Sequence, residues 1–428
     1  MGSTLVVTND FPPRQGGIET FVHQLTTRMP AEEVVVYTSA EPGAAAFDAT
    51  LPFPVVRDRA HTLLPTPRTA RRAAELARAH GCDRAWFGAA APLALLAPAL
   101  RRAGVRRMVA TSHGHEIWWA RTPLARQALR RIGQGVDVVT YLGEYTRARI
   151  APALGPRARM VRLVPGVDAE LFRPDTAGRA AVRARHGLDG RRPVIACVSR
   201  LVTRKGQDTL IRALPLVRRA VPEATVLIVG QGPEEARLRA LAGRLLPAGA
   251  VVFTGGRPHR DLPPYLAAAD VFAMPCRTRK GGLEAEGLGI VYLEAAASGL
   301  PVLVGDSGGA VDAVLDGVTG HVVDGTRPEA VAERLAALLT DPERARAMGR
   351  RGRAWVEREW SWDASHARLA GLLDPTVPLP ERSTVPVPGR SSLPVPEQSS
   401  AGQSSWRESS AGQSSAGQPC SGPAGRER

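Results

Sequence analysis

The sequence predicts an α/β protein built from two consecutive doubly wound units. Three observations carry that reading. The chain has 428 residues, more than one ordinary core accommodates, so two domains are expected. Short runs rich in Val, Ile and Leu alternate with longer amphipathic stretches, the rhythm of parallel strands joined by crossover helices. That rhythm pauses once, near 165–192, and then restarts. The expected organisation is a first domain over 1–170, a second over 171–374 whose last helix returns to the first, and a tail over 375–428. The linker is expected around 168–192.

The first strand is LVVT at 5–8, followed by a Pro-Pro turn, a Gly-Gly pair and the amphipathic IETFVHQLTTRM. Strands are then expected at 34–38 (VVVYT), 84–87 (RAWF), 108–112 (MVATS), 136–142 (VDVVTYL) and 160–165 (MVRLVP), with Arg- and Ala-rich helices between them. The second unit starts with VIACVS at 194–199 and the helical KGQDTLIRALPLVRRA. TVLIVG at 225–230, VVFTG at 251–255, DVFAMP at 270–275, PVLVG at 301–305 and HVV at 321–323 complete its strands. From Pro375 the chain is rich in Pro, Ser and Gly, and SSAGQSS occurs twice. Such a segment buries too little apolar area to offset its ordering entropy, so disorder is expected.

Composition narrows the function classes. The chain is 44% apolar and 23% charged, as soluble globular proteins are. Its formal net charge is +15, yet only Lys205 and Lys280 are lysines. So strong an arginine bias in an alanine-rich chain weakens charge as an indicator. Even so, a basic surface favours phosphates or acidic lipid. Cys82, Cys197, Cys276 and Cys420 have neither zinc-site nor disulfide spacing, so reduced thiols in a cytoplasmic protein are expected. The start lacks a signal-peptide pattern, and GAAAPLALLAPAL at 88–100 is too short to span a bilayer. Any membrane would be met from the side. Aromatics are 5% of the chain and no aromatic-basic module appears, which excludes a nucleic-acid partner.

Four stretches carry chemistry. In GGLEAEGLGIVYLEA at 281–295, Glu286 and Glu294 stand eight residues apart, flanking a predicted helix start near Gly289. If helical throughout, that separation spans roughly 12 Å, the reach of a sugar joined through two phosphates to a nucleoside. The helix N-terminus offers free N–H groups and a positive dipole end to phosphate. On spacing alone, a surface loop with a solvated glutamate fits equally well. In VSRLVTRKGQD at 198–208, Arg200 and Lys205 cross a strand-to-helix turn. Arg can bridge two phosphate oxygens and Lys adds a point charge, although on spacing alone a helix N-terminus with incidental basic residues is the more frequent case. Gly16 and Gly17 open a helix after the first strand and allow close backbone approach to phosphate, as many turns do. His113 follows a strand directly, at the sheet edge where α/β sites form. A lone histidine is more often structural. Neither a metal-ligand pattern around His113 and His115 nor an Asp-x-Asp clamp is present, so no metal or other cofactor is expected.

Taken together, residues 1–373 resemble the retaining glycosyltransferases of family 4, which have the GT-B fold: two Rossmann-like domains facing a central cleft. The family's Glu-x7-Glu motif matches Glu286 and Glu294, its phosphate-binding pair matches Arg200 and Lys205, its Gly-Gly loop matches Gly16 and Gly17, and its active-site histidine matches His113. NDFPPRQGGIETF, SHGHEIWW and GGLEAEGLGIVYLEA are similar to the actinobacterial mannosyltransferases that extend phosphatidylinositol mannosides. The resemblance implies a GDP-mannose donor, an anionic glycolipid acceptor, and peripheral association with the inner face of the plasma membrane. It implies Glu294 on the ribose and Arg200 and Lys205 on the diphosphate. N–H groups of Gly17, Leu288, Gly289, Ile290 and Val291 would assist them. Glu286 would contact the donor sugar and His113 the reacting centre, with Val252 and Arg257 as candidates beside the base. Attack on the same face as the departing phosphate would retain configuration. The basic stretches at 68–80, 101–107 and 121–132 are either a lipid-facing surface or ordinary solvated arginine faces. Rival readings are a silent nucleotide-sugar binder and a relative using a UDP-sugar with inositol phosphate or a soluble sugar.

Overall fold

The computed structural model describes residues 2–14, 16–188, 192–282 and 284–380. Most of the expected disordered tail, 381–428 with Cys420, lies outside the described residues.

Seven parallel strands build the first sheet: β1 (Ser3–Val7), β2 (Val34–Thr38), β3 (Val55–Arg57), β4 (Cys82–Phe87), β5 (Arg107–Ser112), β6 (Val138–Tyr141) and β7 (Met160–Arg162). Six more build the second: β8 (Val194–Val198), β9 (Thr225–Val229), β10 (Val251–Phe253), β11 (Val271–Met274), β12 (Val302–Gly305) and β13 (Gly320–Val323). The orders are β3-β2-β1-β4-β5-β6-β7 and β10-β9-β8-β11-β12-β13. Both are doubly wound, as the alternating sequence requires. The strands are continuous apolar runs because helices cover both faces. Val35, Tyr37, Ala85 and Phe87 fill one side of the first sheet, while Val34, Val36 and Trp86 fill the other. The second sheet encloses one core running from Val194 to Trp360.

This topology decides where a ligand can bind. Chain order reverses between β1 and β4 in the first sheet and between β8 and β11 in the second. Open α/β sheets bind ligands beyond the carboxyl ends of the strands at such reversals. The Gly16-Gly17 turn follows β1, and the segment from Arg200 to Lys205 follows β8.

Two features differ from the sequence reading. β3 is a short edge strand that its three-residue VVR pattern did not reveal. Within the expected linker, Thr176–Arg185 is a helix of the second domain. Asp175 caps it by accepting from Gly178 N at 2.9 Å. Arg179 and Arg183 pin it by donating to Asp270 Oδ1 and Oδ2 at 2.7 and 2.9 Å. The last helix, Trp362–Leu373, packs on the first domain, where Trp362, Leu369, Leu372 and Leu373 join the core around Trp86.

Candidate active site

The second-domain part of the site is built on the loop after β11. Gly289 takes a left-handed φ of 75° and caps the helix Ile290–Ala297, so the chain turns sharply there at the cost only glycine avoids. Leu288 is buried, and Ile290 and Val291 pack against the core. This anchoring aims the helix N-terminus and its free N–H groups outward from the sheet edge.

Glu286 precedes that turn and is 7% exposed. Its Oε2 lies 2.7 Å from Lys205 Nζ and 2.6 Å from Arg204 Nη1. Lys205 ends a short 3-10 turn after β8. Thus Lys205, assigned to phosphate, and Glu286, assigned to sugar, form a buried pair, with Arg204 as a third member the sequence reading missed. The adjacency of Arg204 to one of only two lysines was the available signal. Arg200 is exposed and makes no side-chain hydrogen bond or ion pair among the described residues. Gln207 Nε2 steadies its turn by donating to Ser199 Oγ at 2.8 Å and Arg200 O at 3.1 Å.

Glu294 lies inside the helix and is 3% exposed. Its Oε1 is 2.6 Å from His259 Nε2, and the His259 ring lies 5.2 Å from that of Phe172. The hydrogen bond to Glu294 raises the His259 pKa above its ordinary 6.5, against the lowering effect of burial. His259 was also missed, although it sits in the loop that follows β10. Arg257, in the same loop, donates to Thr254 O at 3.1 Å and stands 5.4 Å over the Tyr265 ring. The Val252 side chain packs against the second-domain core.

In the first domain, His113 follows β5 as expected. Its Nε2 is 2.7 Å from Gly88 O and its ring meets Phe21 edge-on at 5.1 Å. A carbonyl only accepts, so Nε2 carries the proton and Nδ1 keeps a free lone pair in the neutral ring. Burial lowers the His113 pKa, with the Gly88 hydrogen bond and the Glu116 charge opposing it. Glu116 is 1% exposed and accepts from Ser112 Oγ at 2.8 Å and Gly114 N at 3.2 Å, fixing the turn that carries His113. Gly16 caps the helix Gly17–Thr26, and the space beside Gly17 is open.

The two domains meet at this point. A Cβ built on Gly287 would lie 3.9 Å from the His113 carbonyl oxygen, and Arg121 Nη1 donates to Gly281 O at 2.9 Å. The structure therefore gathers Glu286, Lys205 and Arg204 beside the His113 turn, with Glu294 and His259 as a second cluster. The Cys276 segment is tied down by its own side-chain contacts. Arg277 binds Asp208 Oδ1 at 2.9 Å, Arg279 and Lys280 pair with Glu284, and Cys276 Sγ accepts from Tyr292 Oη at 3.1 Å. No group of three or more His, Cys, Asp or Glu residues suited to a metal ion occurs among the described residues.

Comparison with known proteins fits this geometry. Residues 15–171 match the family model Glycosyltransferase Family 4, and residues 178–355 match Glycosyl transferases group 1. The chain is 52% identical over 373 residues to the GDP-mannose-dependent alpha-(1-6)-phosphatidylinositol monomannoside mannosyltransferase of Mycolicibacterium smegmatis, covering 86% of this chain and 97% of the relative. It is 48% identical over 373 residues to the enzyme of Corynebacterium glutamicum named for the monoacylated acceptor, covering 86% and 97%. Among solved structures, Anabaena HepE in complex with UDP has a TM-score of 0.71 at 20% identity, covering 86% of this chain and 98% of that one. At that identity the likeness concerns the fold.

Proposed function

The chain belongs to glycosyltransferase family 4, and from that premise we propose that it transfers mannose from GDP-mannose to phosphatidylinositol monomannoside. The observation that carries this reading is the 52% identity extending over 97% of a relative named for that reaction. The gathering of Glu286 and Lys205 beside the His113 turn supports it.

In the proposed reaction the donor lies across the cleft, with its diphosphate at the N-terminus of Ile290–Ala297. Arg200, unpaired among the described residues, and Lys205 meet the charge that develops as GDP leaves. Glu294 takes the ribose, Arg257 and His259 flank the base, and Glu286 holds sugar hydroxyls. Backbone N–H groups of Gly17 and of Leu288–Val291 add donors for phosphate. His113 stands beside the anomeric carbon with a neutral imidazole. The acceptor hydroxyl attacks from the side the phosphate leaves, and the departing phosphate takes its proton, which retains configuration. These residues supply the positive charge themselves, so the reaction is expected to run without a divalent ion.

The acceptor is a lipid, and the proposed association is peripheral, at the inner membrane face. No helix among the described residues is long and apolar enough to cross a membrane. Trp118 and Leu124 are 55% and 82% exposed, beside the exposed Arg121, Arg126 and Arg130. Apolar tips among cations suit an anionic lipid surface.

The test is a radiolabelled transfer assay with GDP-mannose or a UDP-sugar, phosphatidylinositol monomannoside in liposomes, and EDTA in parallel. Labelled lipid from GDP-mannose alone, undiminished by EDTA, supports donor, acceptor and metal independence. Absence of lipid product from either donor overturns the assignment.

A further inference from the structure

The segment Gly308–Ala313, after β12, is tied to the donor-site loop along its backbone. Glu286 N donates to Ser307 Oγ at 3.3 Å, and Gly309 N donates to Glu286 O at 2.8 Å. A Cβ on Gly309 would lie 2.0 Å from Gly287 O. The two segments are therefore in direct backbone contact.

Asp312, on that segment, reaches into the first domain. Its carboxylate faces the backbone amides of Tyr145 and Glu144, the first residues of the helix Glu144–Leu154. That helix has no side-chain cap of its own, because its N-cap is Gly143. A Cβ on Gly143 would lie 2.0 Å from Asp312 Oδ2, so the absence of a side chain is what admits the aspartate. A carboxylate at a helix N-terminus meets unpaired N–H groups and a favourable dipole. Burial, with the nearby Glu144 carboxylate, raises the Asp312 pKa, while Arg162 of the first domain and the two backbone amides oppose that shift. Asp312 Oδ2 is buried without a hydrogen-bond partner among the described residues, so close packing against Gly143 is what holds it at the helix end.

We propose that Asp312 is a positioning residue of the transfer reaction: by packing its carboxyl group against Gly143 at the N-terminus of the first-domain helix Glu144–Leu154 it sets the Glu286 loop in register with His113. The proposal rests on the function given above. The loop it steadies approaches the His113 turn at Gly287, so a shift at Asp312 is passed to the place where donor sugar and His113 must meet. Asp312 touches neither substrate.

The test uses the full chain and three variants, Asp312→Ala, Asp312→Asn and Gly143→Ala, with GDP as the binding probe. Asp312→Ala and Gly143→Ala disturb the contact from opposite sides. Each should lower kcat by on the order of tenfold to a hundredfold, the cost of a small misplacement of reacting groups. KM for GDP-mannose and Kd for GDP should stay within about twofold, since uniform binding is untouched. Asp312→Asn, which still accepts an N–H, should recover most of the rate. Wild-type kcat in both alanine variants overturns the proposal, as does a loss that merely follows GDP affinity or melting temperature. If the wild-type protein transfers no mannose, the functional reading has failed. The latch is then read from spin labels at Arg126 and Arg346: with GDP bound, Asp312→Ala should broaden the interdomain distance distribution, and an unchanged distribution overturns it.

Discussion

Lys205 Nζ and Arg204 Nη1 meet on one oxygen, Glu286 Oε2, at 2.7 and 2.6 Å. Two cations on one buried carboxylate leave a net positive charge beside the proposed diphosphate position. Breaking a buried pair from one side typically costs about 3–5 kcal/mol. In Lys205→Ala, however, Arg204 keeps Glu286 paired, so the stability loss should fall below that range. Transfer should fall by about 10²–10³, as when a preorganised charge donor is removed. Urea melts and initial rates on the same preparation separate the two effects. A variant with wild-type rate would remove Lys205 from the machinery.

Arg200 gives the complementary case. It is exposed and unpaired among the described residues, so Arg200→Ala should leave the unfolding free energy within about 0.5 kcal/mol of wild type. Activity should nevertheless drop steeply, because the guanidinium is free to meet the leaving group. Calorimetry and the transfer assay check both halves. A large stability loss with intact turnover would mean that Arg200 is structural.

Much of this was legible in the sequence, for physical reasons. Strands buried on both faces read as apolar runs, so twelve of the thirteen strands could be placed. β3 escaped because an edge strand of three residues has no periodicity to read. Glu286, Glu294, Lys205 and His113 could be named from the sequence because they match family motifs in order, whereas spacing alone left a structural reading open for each. Arg204 and His259 were not, because their importance lies in distances to residues 82 and 35 positions away. The Asp312–Gly143 contact was invisible for the same reason: an aspartate and a glycine carry no signal until the domains are set side by side.

The described thiols should be inert. Burial pushes Cys197 up to about 12, and Cys82 and Cys276 to about 11. Nucleophilic thiolate is then scarce at neutral pH, and access is closed. Maleimide followed by peptide mapping should leave Cys82, Cys197 and Cys276 unlabelled in the native protein and labelled in denaturant. Native labelling of Cys276 with loss of activity would contradict its place beneath Tyr292.

The His259–Glu294 contact predicts a pH dependence with a definite sign. The Glu294 hydrogen bond raises the folded-state pKa of His259 above 6.5. A raised histidine pKa stabilises the fold fully below the unfolded value and loses that contribution as pH rises through the folded value. The stabilisation is modest, because the His259 side chain is 63% exposed and solvent screens the pair. The effect on ligand should be larger, because protonated His259 holds the Glu294 oxygen proposed to bind the ribose hydroxyls. GDP affinity should therefore increase as pH climbs through the raised pKa. His259→Gln should flatten that dependence, and Glu294→Gln should both weaken GDP binding and bring the His259 pKa back toward 6.5. NMR titration of the His259 ring alongside GDP calorimetry measures the two curves. If GDP affinity is flat while the ring titrates, His259 and the ribose do not compete for Glu294.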